Sequence, residues 1–157
     1  MTSSAMNEET IEEFLNAAEF QHYGCGYDSF VDVLVTHPDR SEQTRSRDDY
    51  LTTHGLSLLL CRLAPIAALL TDGERGHGPV GNGHASAPES ASLSTSPVAG
   101  WDQESRAITA VLNRYGVTLV HPDVLQQPVL TGLSIETNLS GPSNGFDLFD
   151  AWFHWTD

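Results

Sequence analysis

The fold is decided by the longest apolar stretch of the chain, residues 56–70, which reads LSLLLCRLAPIAALL. Upstream of it, Ser46 and the two aspartates that follow are typical of a helix start. Apolar residues then recur from Tyr50 to Leu63, so the pattern predicts a helix that Pro65 must kink or restart. Because residues 56–70 are apolar on most helical faces, we expect this helix at the centre of the core. The stretch is too short and too interrupted to span a bilayer.

The segment from Trp101 to Val120 carries the clearest secondary-structure signal. Trp101 to Tyr115 places apolar side chains on one helical face, and Gly116 stands at the usual position of a helix stop. Val117 to Val120 then has the composition of a buried strand that enters a turn. The sequence therefore predicts a helix, a glycine and a strand in succession.

The first third of the chain predicts one more helix and one strand. Thr10 and Glu13 have capping-box spacing, and an apolar stripe follows until Gly24; a start after Asn7 is the alternative. Tyr27 to Thr36 is rich in β-branched residues and is interpreted as a strand, although a short helix would also fit.

Towards the C-terminus, Leu133 to Leu139 alternates between apolar and polar residues, as a strand with one wet face does. A polar turn follows from Ser140 to Gly145. The aromatic segment Phe146 to Trp155 fits either a helical stripe or a strand. We favour a strand, paired with Leu133 to Leu139 in a hairpin.

Between these parts, residues 71–100 change to Gly, Ser, Ala, Pro and His with almost no large apolar side chain, which predicts a flexible loop. The expected organisation is a single domain over residues 1–157, with a mainly helical part at 1–70 and a helix plus strands at 101–157. The predicted fold class is α+β, with helices packed on a small mixed or antiparallel sheet and one long flexible insertion.

The charge is strongly negative: 21 Asp and Glu face 7 Arg and no Lys, for a formal charge of −14. The absence of Lys excludes a Schiff-base lysine and the lysine of a phosphate-binding P-loop. The negative field disfavours nucleic acid and anionic membranes, and a basic protein is the natural partner. Residues 1–10 lack the features of a signal peptide, so a cytoplasmic location is expected. Cys25 and Cys61 are interpreted as reduced packing residues.

Two further motifs predict neither a cofactor nor a metal. Gly76, Gly78 and Gly81 spell G-x-G-x-x-G, but the dinucleotide fingerprint needs a strand before it and a helix within it, and Pro79 and the polar residues beyond disfavour that helix. His77 and His84 lack the spacing of metal ligands.

The tripeptide His-Pro-Asp occurs twice, as His37-Pro38-Asp39 and as His121-Pro122-Asp123. Both copies follow an apolar run, as expected of a turn at the end of a strand. An alternative function uses His37, Asp39, His121 and Asp123 as the acid and base groups of a small enzyme or regulatory domain.

The favoured hypothesis is a non-catalytic acidic binding protein, of the kind bacteria use as immunity proteins that neutralise basic toxins. The chain has no credible catalytic constellation, and its acidic surface suits a basic partner. The predicted contact residues are acids and tryptophans near the two termini: Glu12, Glu13, Glu19, Asp147, Asp150, Trp152 and Trp155.

Overall fold

The computed structural model describes residues 29–39, 42–79, 81, 83–130 and 145–154. Strands dominate this part of the chain. The strands are β1 (Phe30–Val35), β2 (Gln43–Arg45), β3 (Leu51–Cys61), β4 (Ile66–His77), β5 (Gly83–Ala85) and β6 (Thr118–Leu119). The helices are α1 (Asp102–Arg114), α2 (Pro122–Leu125) and α3 (Leu148–Trp152), with one 3₁₀ turn at Ser90–Ser92.

All six strands form one curled sheet in the order β1-β3-β4-β5, with β2 beside β3 and β6 beside β4. Every pairing is antiparallel except that of β6 with β4, which is parallel. The predicted fold class is therefore wrong: the described residues form a sheet with three short helices, not helices packed on a small sheet. No helix in these ranges has the length and apolar content to cross a bilayer.

The largest correction concerns residues 56–70, which form the centre of a β-hairpin instead of a helix. Leu60 pairs with Ala67, and the chain reverses between Arg62 and Pro65. Side chains on both sides of this hairpin are buried; Leu58 and Leu59, which point to opposite faces, are 3% and 0% exposed. A strand buried on both faces has no alternation to reveal it, and its apolar run resembles that of a buried helix.

A second correction concerns the loop predicted from residue 71. β4 continues to His77, and Gly83–Ala85 form β5 against it. A β-bulge interrupts the hairpin here: Ser57 pairs with Leu70, but Gly55 pairs with Gly73, so that β4 has one extra residue at this point. The polar composition of the segment indicated a loop, yet it also suits a strand near the edge of a sheet.

Helices cover the sheet on both faces. On the α1 face, Ile108 and Leu112 pack on apolar residues of β1, β3 and β4. On the opposite α3 face, Leu125, Phe149 and Phe153 pack on Leu59 and its neighbours. Fully burying an aromatic or leucine side chain contributes about 1.5–3 kcal/mol, so both layers stabilise the sheet.

The structure confirms three predicted elements and corrects a fourth. The strand in 27–36, the helix in 101–115 and the strand in 117–120 are β1, α1 and β6. The preferred strand in 146–155 is wrong, because Leu148–Trp152 is α3, whose start is fixed by reciprocal hydrogen bonds between Asp147 and Asp150. The helix predicted from Thr10 and the strand Leu133–Leu139 lie outside the described residues.

One ion pair is nearly buried on the α3 face of the sheet. The Arg75 guanidinium donates to Asp32 at 2.5 Å, and their side chains are 11% and 10% exposed. Ser57 donates to the other carboxylate oxygen of Asp32. Removing one partner of such a pair leaves an uncompensated charge. Because Asp32, Ser57 and Arg75 lie on β1, β3 and β4, the interaction requires these three strands to be in register.

Candidate functional site

The site is centred on His37, which follows β1 by two residues. Its ring lies flat against the indole of Trp101, with ring centroids 3.7 Å apart and an interplanar angle of 8°. Trp101 is the residue immediately before α1. Because β1 and α1 both pack in the α1-face core, the fold brings these two rings together from distant parts of the chain.

Each nitrogen of the His37 ring lies against a carboxylate. Nδ1 is 2.9 Å from Oε1 of Glu104, and Nε2 is 3.2 Å from Oε1 of Glu42. A carboxylate accepts hydrogen bonds only, so both nitrogens donate when the ring is protonated. The hydrogen bond to Glu104 raises the pKa of His37 above its ordinary value of 6.5, and the nearby charges of Glu104, Glu42 and Asp39 act in the same direction. The side chains of His37, Glu42 and Glu104 are 26%, 19% and 17% exposed.

Local structure explains why the two carboxylates stand where they do. Glu104 lies in the first turn of α1, where the positive end of the helix dipole favours an acid. Glu42 stands just before β2, and its carbonyl accepts a hydrogen bond from the backbone N–H of His54 at 3.3 Å. The carboxylates therefore approach His37 from a helix and from the sheet.

Four carboxylate residues form what we call the acidic end: Asp39, Glu42, Asp102 and Glu104. The members come from the turn after β1, the start of β2 and the first turn of α1. Asp39 and Asp102 are exposed, whereas Glu42 and Glu104 are half-buried. The charges of Glu104, Glu42 and Asp39 all favour the protonated form of His37.

A second group of imidazoles and a carboxylate lies on the same face of the sheet. One carboxylate oxygen of Glu74 lies 2.6 Å from Nε2 of His84, and the other lies 3.4 Å from Nδ1 of His54. Tyr50 hydrogen-bonds His84 Nδ1 through its hydroxyl. The rings of Tyr50 and His84 lie over Gly76, so a side chain at this position would force these rings to shift.

The second His-Pro-Asp turn has a different role. His121 precedes α2, and its Nδ1 accepts the backbone N–H of Asp123 at 3.2 Å, which caps that helix. The two turns follow β1 and β6, which are separated by β3 and β4. Three inter-strand spacings amount to roughly 14 Å in a flat sheet, so strand order alone does not bring the two turns together, and a site that combines His37, Asp39, His121 and Asp123 stays a prediction.

Of the residues predicted to contact a partner, Asp147, Asp150 and Trp152 are described. Asp147 and Asp150 form the capping box of α3, and burial raises the pKa of the Asp150 carboxyl. Trp152 is 37% exposed, and its carbonyl accepts a hydrogen bond from Ser29. Glu12, Glu13, Glu19 and Trp155 lie outside the described residues. All seven stay predictions.

Sequence reasoning named His37 but missed its partners Glu42, Glu104 and Trp101. Glu104 is 67 residues from His37, so no local pattern could connect them. Gly76 of the G-x-G-x-x-G motif lies in β4, and the next described element is β5, not a helix. Within the described ranges, no three His, Cys, Asp or Glu side chains form a group suited to a metal ion.

Comparison with known proteins supplied no relative for this chain. It matches no protein family, no curated protein and no solved structure.

Proposed function

We propose that this chain is a non-catalytic acidic binding protein that engages a basic protein partner. An immunity protein that neutralises a basic toxin in the bacterial cytoplasm is the specific form of this proposal. The net charge of −14 supports a cationic partner, because opposed fields accelerate encounter and select against other anionic surfaces.

The observation that carries the proposal is the acidic end. Asp39, Glu42 and Glu104 come from three segments but act on one imidazole, Asp102 lies in the same helical turn as Glu104, and the two aspartates are exposed. A partner's arginine would meet carboxylates at this end, where paired N–H donors suit carboxylate acceptors. The contact would be sensitive to salt, since exposed charges are screened over about 10 Å at 0.1 M ionic strength.

The contacts of the two histidines favour binding over catalysis. While His37 is protonated, both of its ring nitrogens lie within 3.2 Å of a carboxylate oxygen, and neither can take a proton from a substrate. Nδ1 of His121 is occupied by the cap of α2. A general base needs a nitrogen within reach of the reacting group.

The proposal is tested with whichever protein the neighbouring open reading frame encodes. The two proteins, co-expressed and then purified, should form a stable complex that weakens as salt is raised. A titration with an oligo-arginine peptide at low ionic strength provides a defined cationic probe. If neither the neighbouring protein nor the peptide binds at low ionic strength, the proposed function is wrong.

The repeated tripeptide supplies a matched pair of variants for the contact surface. Asp39→Asn removes a charge from the acidic end, whereas Asp123→Asn removes one from an exposed carboxylate at the other turn. An exposed ion pair contributes about 0.2–1 kcal/mol, so Asp39→Asn should raise Kd by up to about fivefold. Asp123→Asn should leave Kd unchanged, and equal losses for the two variants would contradict this placement of the interface.

A further inference from the structure

We infer that His37, Glu42 and Glu104 form a pH-sensitive clasp, which ties α1 to the start of β2 and opens on the Glu42 side when His37 loses its proton. The inference concerns the conformation of the chain itself and does not depend on the identity of any partner.

The number of hydrogen-bond donors on the His37 ring depends on whether the ring is protonated. A protonated imidazole has two N–H donors, whereas a neutral imidazole has one donor and one acceptor. Both neighbours of His37 are carboxylates, which accept hydrogen bonds and cannot donate when ionised. Loss of the proton must therefore break one of the two contacts, and it directs a nitrogen lone pair at a carboxylate.

The geometry indicates which contact breaks. The Nδ1 contact with Glu104 is 2.9 Å long, and the Nε2 contact with Glu42 is 3.2 Å long. Glu104 is also fixed on a packed helix, while Glu42 precedes a strand of only three residues. The neutral ring therefore keeps its proton on Nδ1, and Glu42 is released.

The groups that face His37 from each neighbouring element favour the charged ring. They are Glu104 and the Trp101 ring from α1, Glu42 from the start of β2 and Asp39 from the same turn. An indole face attracts a cation, so the stacking acts in the same direction as the carboxylates. The raised pKa of His37 places the transition above 6.5.

The test is an NMR titration of the full chain from about pH 5 to about pH 9, which brackets histidine ionisation. It follows the His37 ring, the side-chain carboxyl carbon of Glu42 and the indole N–H of Trp101. We expect the Glu42 signal to move with the midpoint of His37, above 6.5, while a nuclear Overhauser contact between the His37 and Trp101 rings persists across the range.

Three variants distinguish opening of the clasp from the titration of other groups in the protein. In His37→Gln, the Glu42 step should vanish, whereas in His54→Gln, which removes a nearby imidazole that contacts Glu74 instead, it should persist. In Glu104→Gln, the midpoint of His37 should shift to lower pH, because its principal hydrogen-bonded charge is lost. A His37 midpoint at or below 6.5, or a Glu42 step that survives in His37→Gln, would overturn the inference.

Discussion

The two His-Pro-Asp turns have the same tripeptide but different chemistry. At the first turn, His37 reaches across to α1 and β2, contacts two carboxylates and stacks on Trp101. At the second, His121 bonds only within its own turn among the contacts described, through Nδ1 to Asp123. A short motif fixes the turn, whereas the charge state of its histidine depends on which side chains the fold brings to it.

The two turns also differ in what stabilises them. The second turn leads into α2, whose Leu125 is 2% exposed and packs in the α3-face core. The first leads to a polar contact with a helix that is distant in sequence. Buried apolar side chains stabilise the second turn, whereas a charged hydrogen-bonded contact stabilises the first. Substitutions at the two turns should therefore lower the free energy of unfolding by different amounts.

The largest effect is expected at the apolar anchor of the second turn. Leu125→Ala should lower the free energy of unfolding by about 2–5 kcal/mol, because it removes buried methyl groups and leaves a cavity. The neighbouring substitution Val124→Ala, at a side chain that is 45% exposed, should change it by less than about 0.5 kcal/mol. Urea unfolding measures both, and similar losses would show that α2 is not anchored through Leu125.

An intermediate effect that depends on pH is expected at the first turn. The folded-state pKa of His37 is raised, so its stabilisation is complete below 6.5 and is lost as pH rises through the raised value. His37→Gln should therefore cost about 1–2 kcal/mol near pH 6 and less near pH 9, because hydrogen bonds to charged groups are lost. His54→Gln, at a side chain that is 52% exposed, is the control. A cost that does not change with pH would contradict the raised pKa.

The smallest effect is expected at the cap of α2. His121→Ala should cost about 0.5–1 kcal/mol, since it leaves the backbone N–H of Asp123 without its side-chain acceptor. His121→Asn keeps a side-chain acceptor of a good capping type and should restore most of that stability. Thermal unfolding compares the three proteins, and equal losses in Ala and Asn would mean that the cap contributes nothing.

The elements that could be predicted from the sequence have local signals. α1 has an apolar stripe and a glycine stop, and β1 is rich in β-branched residues. The hairpin of β3 and β4 was missed because both of its faces are buried, so its apolar run has no period. Pro65 marks the reversal of that hairpin, a role that fits its missing N–H as well as a helix kink would.

The start of α3 has a local signal in the sequence, whereas the contacts of His37 have none. Asp147 and Asp150 have the spacing of a capping box, a local signal of a helix start that the aromatic pattern alone does not contain. The contacts of His37 depend on residues up to 67 positions away. Tertiary packing creates such contacts, and no window of sequence contains them.

The bulge in β4 absorbs one extra residue without changing the faces of the charged residues beyond it. Leu70 pairs with Ser57 before the bulge, whereas Glu74 pairs with His54 and Arg75 with Thr53 after it, so Arg75 still lies on the side of Asp32. A deletion of one residue near Thr71 and Asp72 would leave a regular ladder in which the same pairs form. A descendant chain that is one residue shorter at this point could therefore retain both contacts without any compensating substitution, so insertions and deletions are expected to be tolerated there in evolution.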